Sequence, residues 1–248
     1  MRSLSPARFA ITPVLALAAL IAGPAAAQQD GTFVAPFSTA KPGTGFPRGW
    51  EPLKLGSKKV TEYSFVDDGG TVVLLARSDA AASGYLHPVK FDLKTAPVIQ
   101  FRWKINKLID GADNAVAAKE DSPARVILNF DGDTSKLTLR EKTSSALART
   151  ATGRDLPYAQ LIYIWSNTAP VGTVINNPHT ARVRMMVAVS GPAQVGQWVE
   201  VSRNAVADFT RAFGEPPGKL LDVGVMTDTD NTGASVEARY GDLRFTAP

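Results

Sequence analysis

The stretch of sequence that decides the fold is VIQFRWKI, at residues 98–105. Phe101 and Trp103 fall on one side of an extended chain, whereas Arg102 and Lys104 fall on the other side. Alternation of this kind predicts a β-strand with one face in an apolar core and one face toward solvent.

Short segments with the same period of two lie on both sides of this strand. ARVILNF, at residues 124–130, places Val126 and Leu128 on one face and Arg125 on the other. Upstream, Asp67-Asp68-Gly69-Gly70 separates two such segments, as expected for a β-hairpin. The remaining predicted strands span residues 60–66, 71–77, 85–91, 161–165, 182–189, 197–202, 221–226 and 236–245.

One segment, residues 204–213, has helical periodicity instead. Phe209 and Phe213 recur at helical spacing, Gly214 suits the position after a helix, and Pro216-Pro217 prevents continuation. About ten short strands with one short helix indicate an all-β fold. We therefore predict a two-sheet antiparallel jelly-roll sandwich that forms a single domain over residues 28–248.

The composition excludes several classes of site. The chain has 248 residues and no cysteine, so disulfides, thiolate nucleophiles and cysteine-ligated metals are excluded. It has only two histidines, His87 and His179, which excludes a histidine-rich metal site. No run of Lys and Arg is present to follow a phosphate backbone, so we predict no nucleic-acid partner.

The N-terminus has the pattern of a secretory signal peptide. Arg2 and Arg8 precede an apolar segment at residues 11–21, and Ala25-Ala26-Ala27 forms an A-x-A cleavage site. We predict cleavage after Ala27, a periplasmic or secreted location, and no membrane span in the mature chain. Loss of the two arginines lowers the formal net charge from +4 to +2.

Several motifs resemble those of a bacterial family of exported proteins, domain-of-unknown-function family 3047. The resemblance covers most of residues 30–246, and MTDTDNTG at residues 226–233 is its most specific part. It implies family membership but no activity. The other matching stretches are residues 156–158, 165–167, 170–173, 177–180, 182–185, 211–215 and 240–242.

A weaker resemblance concerns the fold alone. The ending RYGDLRF, at residues 239–245, is similar to the last strand of galactose-binding-like jelly rolls and carbohydrate-binding modules. The strands that hold Trp103 and Arg125 also resemble such modules. This likeness implies a jelly roll, and a shared fold does not determine function.

The densest polar cluster contains Asp228, Asp230 and Asn231. On a strand the two aspartates would share a face, about 6.6–7 Å apart. They are candidates for Ca²⁺ or saccharide contacts, or for a carboxylate pair in glycoside hydrolysis. The alternative is that they cap a turn and pair with arginines. An EF-hand loop fails because its last ligand position would be Arg239. We therefore assign no cofactor and leave calcium as an alternative.

Aromatic residues suggest a second candidate site. Tyr163, Trp165 and Asn167 would share one strand face, with Ile162 and Ile164 on the opposite face. Such a face forms either a stacking platform for sugar rings or part of the core. The other three tryptophans are predicted to be core residues: Trp50, Trp103 and Trp198.

Four arginines lie on strands with predicted polar faces, and they would either bind an acidic sugar such as a uronate or pair with aspartates. They are Arg102, Arg125, Arg182 and Arg184, and the candidate partners are Asp131, Asp228, Asp230 and Asp242.

These patterns favour a non-catalytic glycan-binding protein. The alternatives are a jelly-roll polysaccharide hydrolase or lyase, and an envelope module that binds a protein partner. The sequence does not decide whether the chain is an enzyme, and we assign no catalytic residue. The predicted ligand-binding residues are Tyr163, Trp165, Asn167, Arg125, Arg184, Asp228, Asp230 and Asn231.

Overall fold

Two β-sheets pack face to face in the computed structural model, which describes residues 34–43, 45–89, 93–152 and 156–248. The predicted signal peptide, residues 1–27, lies outside the described residues. Within the described ranges, no helix is long and apolar enough to cross a membrane. The strands are β1 (Glu51–Lys54), β2 (Glu62–Asp67), β3 (Val72–Asp79), β4 (Ala82–Pro88), β5 (Val98–Ile105), β6 (Ser122–Phe130), β7 (Ala159–Ser166), β8 (Val174–Asn176), β9 (Val183–Ser190), β10 (Val199–Asn204), β11 (Leu220–Asp228), β12 (Ser235–Tyr240) and β13 (Arg244–Thr246). The helices are α1 (Leu139–Thr152), α2 (Ala205–Phe213) and two 3₁₀ turns, Phe37–Thr39 and Thr134–Lys136.

The topology confirms the predicted two-sheet β-sandwich. One sheet has seven strands in the order β1-β4-β11-β6-β7-β9-β8, and the other has the order β10-β5-β12-β3-β2 with β13 also paired to β5. One pair departs from the predicted antiparallel arrangement, since β7 and β9 run parallel. The chain leaves β7, forms the edge strand β8, and returns to pair as β9 between them.

The strand predictions hold best in the centre of each sheet. β5 has the predicted bounds, whereas residues 236–245 form two strands, β12 and β13, with a break between them. β1 and β8, the short strands at the two edges of the seven-stranded sheet, were not predicted. They have four and three residues, too few for a period of two to stand out in the sequence.

Aromatic side chains from both sheets form the centre of the core. Phe101 and Trp103 of β5 face Tyr163 and Trp165 of β7, with ring centroids 5.9 Å apart for Phe101–Tyr163 and 6.2 Å apart for Trp103–Trp165. All four rings are buried. The alternation read from VIQFRWKI therefore describes the true inner face of β5.

A second apolar cluster lies on the opposite face of the seven-stranded sheet, and we call it the outer cluster. Glu120 lies on this side of the sheet, because its backbone carbonyl accepts from Arg125 Nη2 at 2.6 Å. Its carboxylate accepts from Asn177 Nδ2 at 2.9 Å, across the two strands that separate β6 from β8. Because core residues lie on one face and the outer cluster lies on the other, the central strands β6 and β7 are buried on both faces. The outer cluster consists of Ala82, Leu86, Ile127, Ile162, Ile164, Ile175, Met185, Val187 and Met226.

The predicted helix is confirmed as α2. Asn204 caps its N-terminus by accepting from Ala207 N at 3.0 Å, and Gly214 ends it with a left-handed φ of 74°. Its buried Phe209 packs on Phe130, with ring centroids 4.6 Å apart. This apolar contact fixes the helix against the seven-stranded sheet.

The helix α1 was not predicted. A capping box begins it, because Glu141 Oε2 accepts from Thr138 N at 2.8 Å and Thr138 Oγ1 accepts from Glu141 N at 3.3 Å. Leu139 and Leu147 are 81% and 67% exposed, and over residues 139–147, where the side chains are described, α1 has no buried apolar face of the kind that periodicity detects.

Candidate functional site

The predicted aromatic platform is wrong, because Tyr163 and Trp165 are fully buried. Tyr163 donates its hydroxyl to Asp208 at 3.0 Å, and Trp165 donates its indole N–H to the Gly191 carbonyl at 3.1 Å. Asn167 donates to the Ile109 carbonyl at 2.6 Å and so anchors a loop. All three side chains therefore make contacts that stabilise the fold, and the Tyr163 and Trp165 rings present no surface to a ligand, whereas Asn167 is half-buried.

The face assignment behind that prediction is nevertheless correct. Ile162 and Ile164 lie opposite Tyr163 and Trp165, as the alternation requires. Because β7 lies inside the seven-stranded sheet and both sheet faces are apolar there, alternation alone did not identify the outer face.

The structure does not bring the four predicted arginines together. Arg102 lies on the six-stranded sheet, and Arg125 lies on the seven-stranded sheet. Arg182 stacks on Tyr158, with its guanidinium 4.0 Å from the ring centroid. Arg184 donates to the Ala181 carbonyl at 2.6 Å. Arg182 and Arg184 therefore hold the start of β9 in place.

A strand-end acidic cluster is formed by Asp121, Asp228 and Asp230, of which the first two are buried. One carboxylate oxygen from each residue lies within 4.8 Å of the others. Asp228 is the last residue of β11, and Asp121 directly precedes the neighbouring strand β6. Asp230 lies beyond the end of β11, so the predicted same-face pair at about 6.6–7 Å does not form.

Asp228 is the buried member of this cluster, with a side chain that is 4% exposed. Its Oδ2 pairs with Arg125 Nη2 at 2.8 Å, which confirms the predicted arginine–aspartate pairing for these two residues. Its Oδ1 is buried and accepts no hydrogen bond. Burial is the main reason that the pKa of Asp228 is raised to about 7. The positive charge of Arg125 opposes this rise, whereas the neighbouring Asp230 and Asp121 add to it.

Lys58 neutralises part of the negative charge of the cluster through a hydrogen-bonded ion pair with Asp230. This contact raises the pKa of Lys58, although burial opposes the rise. Burial alone would raise the pKa of Asp230, but Lys58 and the Asp228 carboxyl outweigh it and lower that pKa.

Asp121 and Asn231 join two loops at this strand end. Asp121 accepts from Asn231 N at 3.1 Å, from Thr232 N at 2.7 Å and from Thr232 Oγ1 at 2.6 Å. Asn231 donates in turn to the Ala117 carbonyl at 2.8 Å. Asp121 and Lys58 were not predicted as members of the site, although the Glu120-Asp121 dipeptide preceding β6 was a visible signal.

Trp198 lies on the solvent side of the six-stranded sheet, so its prediction as a core residue is wrong. Trp50 and Trp103 are buried, as predicted, whereas Trp198 is half-buried. The Arg102 guanidinium lies 4.6 Å from the centroid of its ring, and Lys104 Nζ lies 5.1 Å away. This is an aromatic surface between two cations.

Arg102 also lines an adjacent cavity of about 320 Å³, which we call the Arg102 cavity. Arg102 forms no ion pair with a carboxylate within the described ranges. Asp242, the acidic residue that lines the cavity next to Gly241, instead accepts from Ser38 N at 2.9 Å and from Ser38 Oγ at 2.7 Å. A Cβ atom at Gly241 would lie 2.6 Å from Arg102 Cγ, so glycine is needed there. The polar residues that line this cavity are Ser38, Gln100, Arg102, Glu200, Asp242 and Arg244.

A second cavity on the six-stranded sheet, of about 430 Å³, differs in its charges. Lys59 pairs with Asp79 at 2.7 Å, and Arg77 pairs with Glu237 at 2.8 Å. These four side chains are therefore paired with one another, unlike Arg102, and Glu62 and Lys107 also line this cavity.

Several solved structures are similar to this chain in the path of their backbone. The xyloglucanase domain of NopAA, a type three effector from Sinorhizobium fredii in complex with cellobiose, is 6% identical with a TM-score of 0.44, covering 82% of this chain and 96% of that one. SGBP-B from a complex xyloglucan utilization locus in Bacteroides uniformis is 10% identical with a TM-score of 0.37, covering 88% and 50%. Cellulose induced protein Cip1 is 12% identical with a TM-score of 0.35, covering 82% and 94%.

The family assignment is firmer than these likenesses. No curated protein matches the chain. The family model described as "Protein of unknown function (DUF3047)" matches residues 48–244. This range contains the strand-end acidic cluster and nearly all the residues of both sheets. The chain therefore belongs to the DUF3047 family.

Proposed function

We propose that this protein binds an acidic saccharide without catalysis, on the solvent side of its six-stranded sheet. Trp198 stacks against a sugar ring in this proposal, and Arg102 binds a carboxylate such as that of a uronate. The observation that carries the proposal is the position of Arg102, which contacts the Trp198 ring and also lines the adjacent cavity.

The chemistry of these two side chains supports the proposal. The face of an indole ring packs well on the C–H face of a sugar, and it needs no induced pocket. An arginine without an ion-pair partner can bind a carboxylate through two parallel hydrogen bonds. The Arg102 cavity, at about 320 Å³, falls at the small end of the usual range for ligand pockets.

The position of the carboxylates favours binding over glycoside hydrolysis. A glycosidase needs two carboxyl groups on either side of one accessible bond. Asp228 has a raised pKa that would suit a general acid, but its side chain is 4% exposed and paired with Arg125. A sugar could enter between Asp228 and Asp230 only if the Arg125–Asp228 ion pair opened.

The proposed location of the binding protein is the periplasm or the medium outside the cell. The arginines at positions 2 and 8, the apolar segment at residues 11–21 and the site after Ala27 support export. A saccharide-binding surface would then meet envelope or extracellular glycans.

A glycan array followed by calorimetry tests the proposal on purified protein that begins at residue 28. We expect oligogalacturonides to bind more tightly than neutral cello-oligosaccharides of equal length. Trp198→Ala and Arg102→Ala should each weaken binding at least about tenfold, as expected for an interface anchor. Arg77→Ala is the matched control, because Arg77 lies on the same sheet face but pairs with Glu237.

Three outcomes would count against the proposal. They are an array with no bound glycan, unchanged affinity in both site variants, and an equal loss in the Arg77→Ala control.

A further inference from the structure

We propose that Asp121, Asp228 and Asp230 form a calcium site, in which their oxygens coordinate the ion and Lys58 is displaced. This site lies on the seven-stranded sheet and does not depend on the proposed saccharide binding.

The buried, unpartnered Oδ1 of Asp228 is the first observation that points to a ligand. A buried oxygen that accepts no hydrogen bond is costly, and most such atoms in folded proteins have a partner. No described donor satisfies this oxygen, so the described side chains do not complete its surroundings.

The geometry of the three carboxylates fits one ion. Calcium binds oxygen ligands at about 2.3–2.6 Å, so two ligands of one ion lie at most about 5 Å apart. One oxygen from each of the three aspartates lies within 4.8 Å of the others. Calcium also accepts irregular ligand arrangements, whereas magnesium requires a near-ideal octahedron.

The balance of charge also favours a divalent cation. Four carboxylates, those of Glu120, Asp121, Asp228 and Asp230, face two cations, Arg125 and Lys58. An ion of charge +2 would offset this excess of negative charge.

Lys58 is the group that an ion would replace. Its side chain is 46% exposed, and its ammonium reaches Asp230 from the turn after β1. A long lysine side chain that is already about half exposed can move into solvent at little cost. In contrast, Arg125 is 4% exposed and bonded to the Glu120 carbonyl, so it stays in place.

Calcium chloride titrated into the purified protein tests this site by calorimetry and thermal melting. We expect binding in the wild type and a rise in Tm that EGTA reverses. Asp230→Asn should weaken calcium binding at least about tenfold, since it removes one charged ligand. Lys58→Gln should tighten calcium binding about tenfold, because it removes a competing positive charge. Asp79→Asn is the matched control, since Asp79 forms a similar pair with Lys59 on the surface.

The signs of these effects separate a calcium site from a purely structural cluster. If Asp228→Asn does not fold, Asp230→Asn and Lys58→Gln still decide the question, because both residues lie at the more exposed side. The proposal would be overturned if neither wild type nor Lys58→Gln bound calcium at ~10 mM, which is above the Kd of extracellular calcium modules. An equal response to magnesium chloride, or an undiminished response in Asp230→Asn, would overturn it too.

Discussion

The outer faces of the two sheets differ in what they bury. The outer face of the seven-stranded sheet carries isoleucine, methionine and valine, and its Arg125–Asp228 ion pair is buried, with both side chains 4% exposed. The outer face of the six-stranded sheet carries the half-buried Trp198, Lys104 paired with Asp68 at 2.6 Å, and Arg102, which forms no ion pair within the described ranges. One face has the character of a second core, and the other has the character of a surface that can bind a ligand.

This difference shows why tryptophan content is a poor guide to a binding face. Trp165 lies on a strand that is apolar on both sides, so its ring is in the core. Trp198 directly precedes the edge strand β10. In the register of β10 with β5, the backbone of Glu200 lies opposite that of Arg102. The charged neighbours on the adjacent strand, rather than the aromatic residue itself, distinguish the exposed ring.

The largest effect should come from breaking the buried ion pair of the seven-stranded sheet. Arg125→Ala leaves Asp228 buried beside two other carboxylates, so we expect a loss of about 3–5 kcal/mol in the free energy of unfolding. Urea denaturation measures this loss. Asp228→Asn added to Arg125→Ala should restore part of the stability, because it removes the uncompensated charge.

The comparison supplies its own control on the six-stranded sheet. Arg77→Ala breaks the exposed pair with Glu237, which should cost less than about 1 kcal/mol. Equal losses in Arg125→Ala and Arg77→Ala would show that the two faces do not differ as described.

A matched pair of valines tests the apolar side of the comparison. Val187 belongs to the outer cluster and is fully buried, whereas Val66 is half-buried on the outer side of β2. We expect Val187→Ala to cost about 2–3 kcal/mol and Val66→Ala to cost less than about 1 kcal/mol. Chemical denaturation of both variants measures the difference, and a smaller loss at Val187 would argue against a second core.

The sequence predicted the strands and the layers better than the site. Strict alternation in β5 identified its inner face, because that strand is apolar on one side only. In β6 and β7 both faces are buried, so period-two patterning did not separate the core from the outer side. The capping pattern of α2 was informative because an apolar face accompanies it, and α1 has no such face over residues 139–147.

The strand-end acidic cluster was only half predicted, for a topological reason. Asp228 and Asp230 lie in one motif and were found together. Asp121 and Lys58 are distant in the chain, and only the pairing of β11 with β6 and with β4 brings their loops near. No local pattern in the sequence encodes that pairing.

The two histidines allow a buried titratable group to be compared with an exposed one. His87 Nε2 accepts from Ala35 N at 3.2 Å, and burial lowers the pKa of His87. At this residue the unfolded chain therefore binds a proton more readily, so the contribution of His87 to stability should fall as the pH decreases below about 6.5. The raised pKa of Asp228 acts in the opposite direction, so the effect of His87 is measured as the difference between wild type and variant in denaturation at pH 7 and pH 5. His87→Gln should reduce this contribution, whereas His179→Gln, at a 54% exposed side chain, should leave it in place.

The smallest effect on stability should come from Trp198, since its ring is only half-buried. Trp198→Phe should change the free energy of unfolding by less than about 0.5 kcal/mol. It should nevertheless remove most quenching of tryptophan fluorescence by iodide, because Trp50, Trp103 and Trp165 are at most 7% exposed. Arg102 and Lys104 beside the ring attract an anion, so iodide should quench the wild type more strongly than caesium does. Iodide quenching that persists in Trp198→Phe would mean that another tryptophan reaches solvent, and the contrast between the two outer faces would then fail.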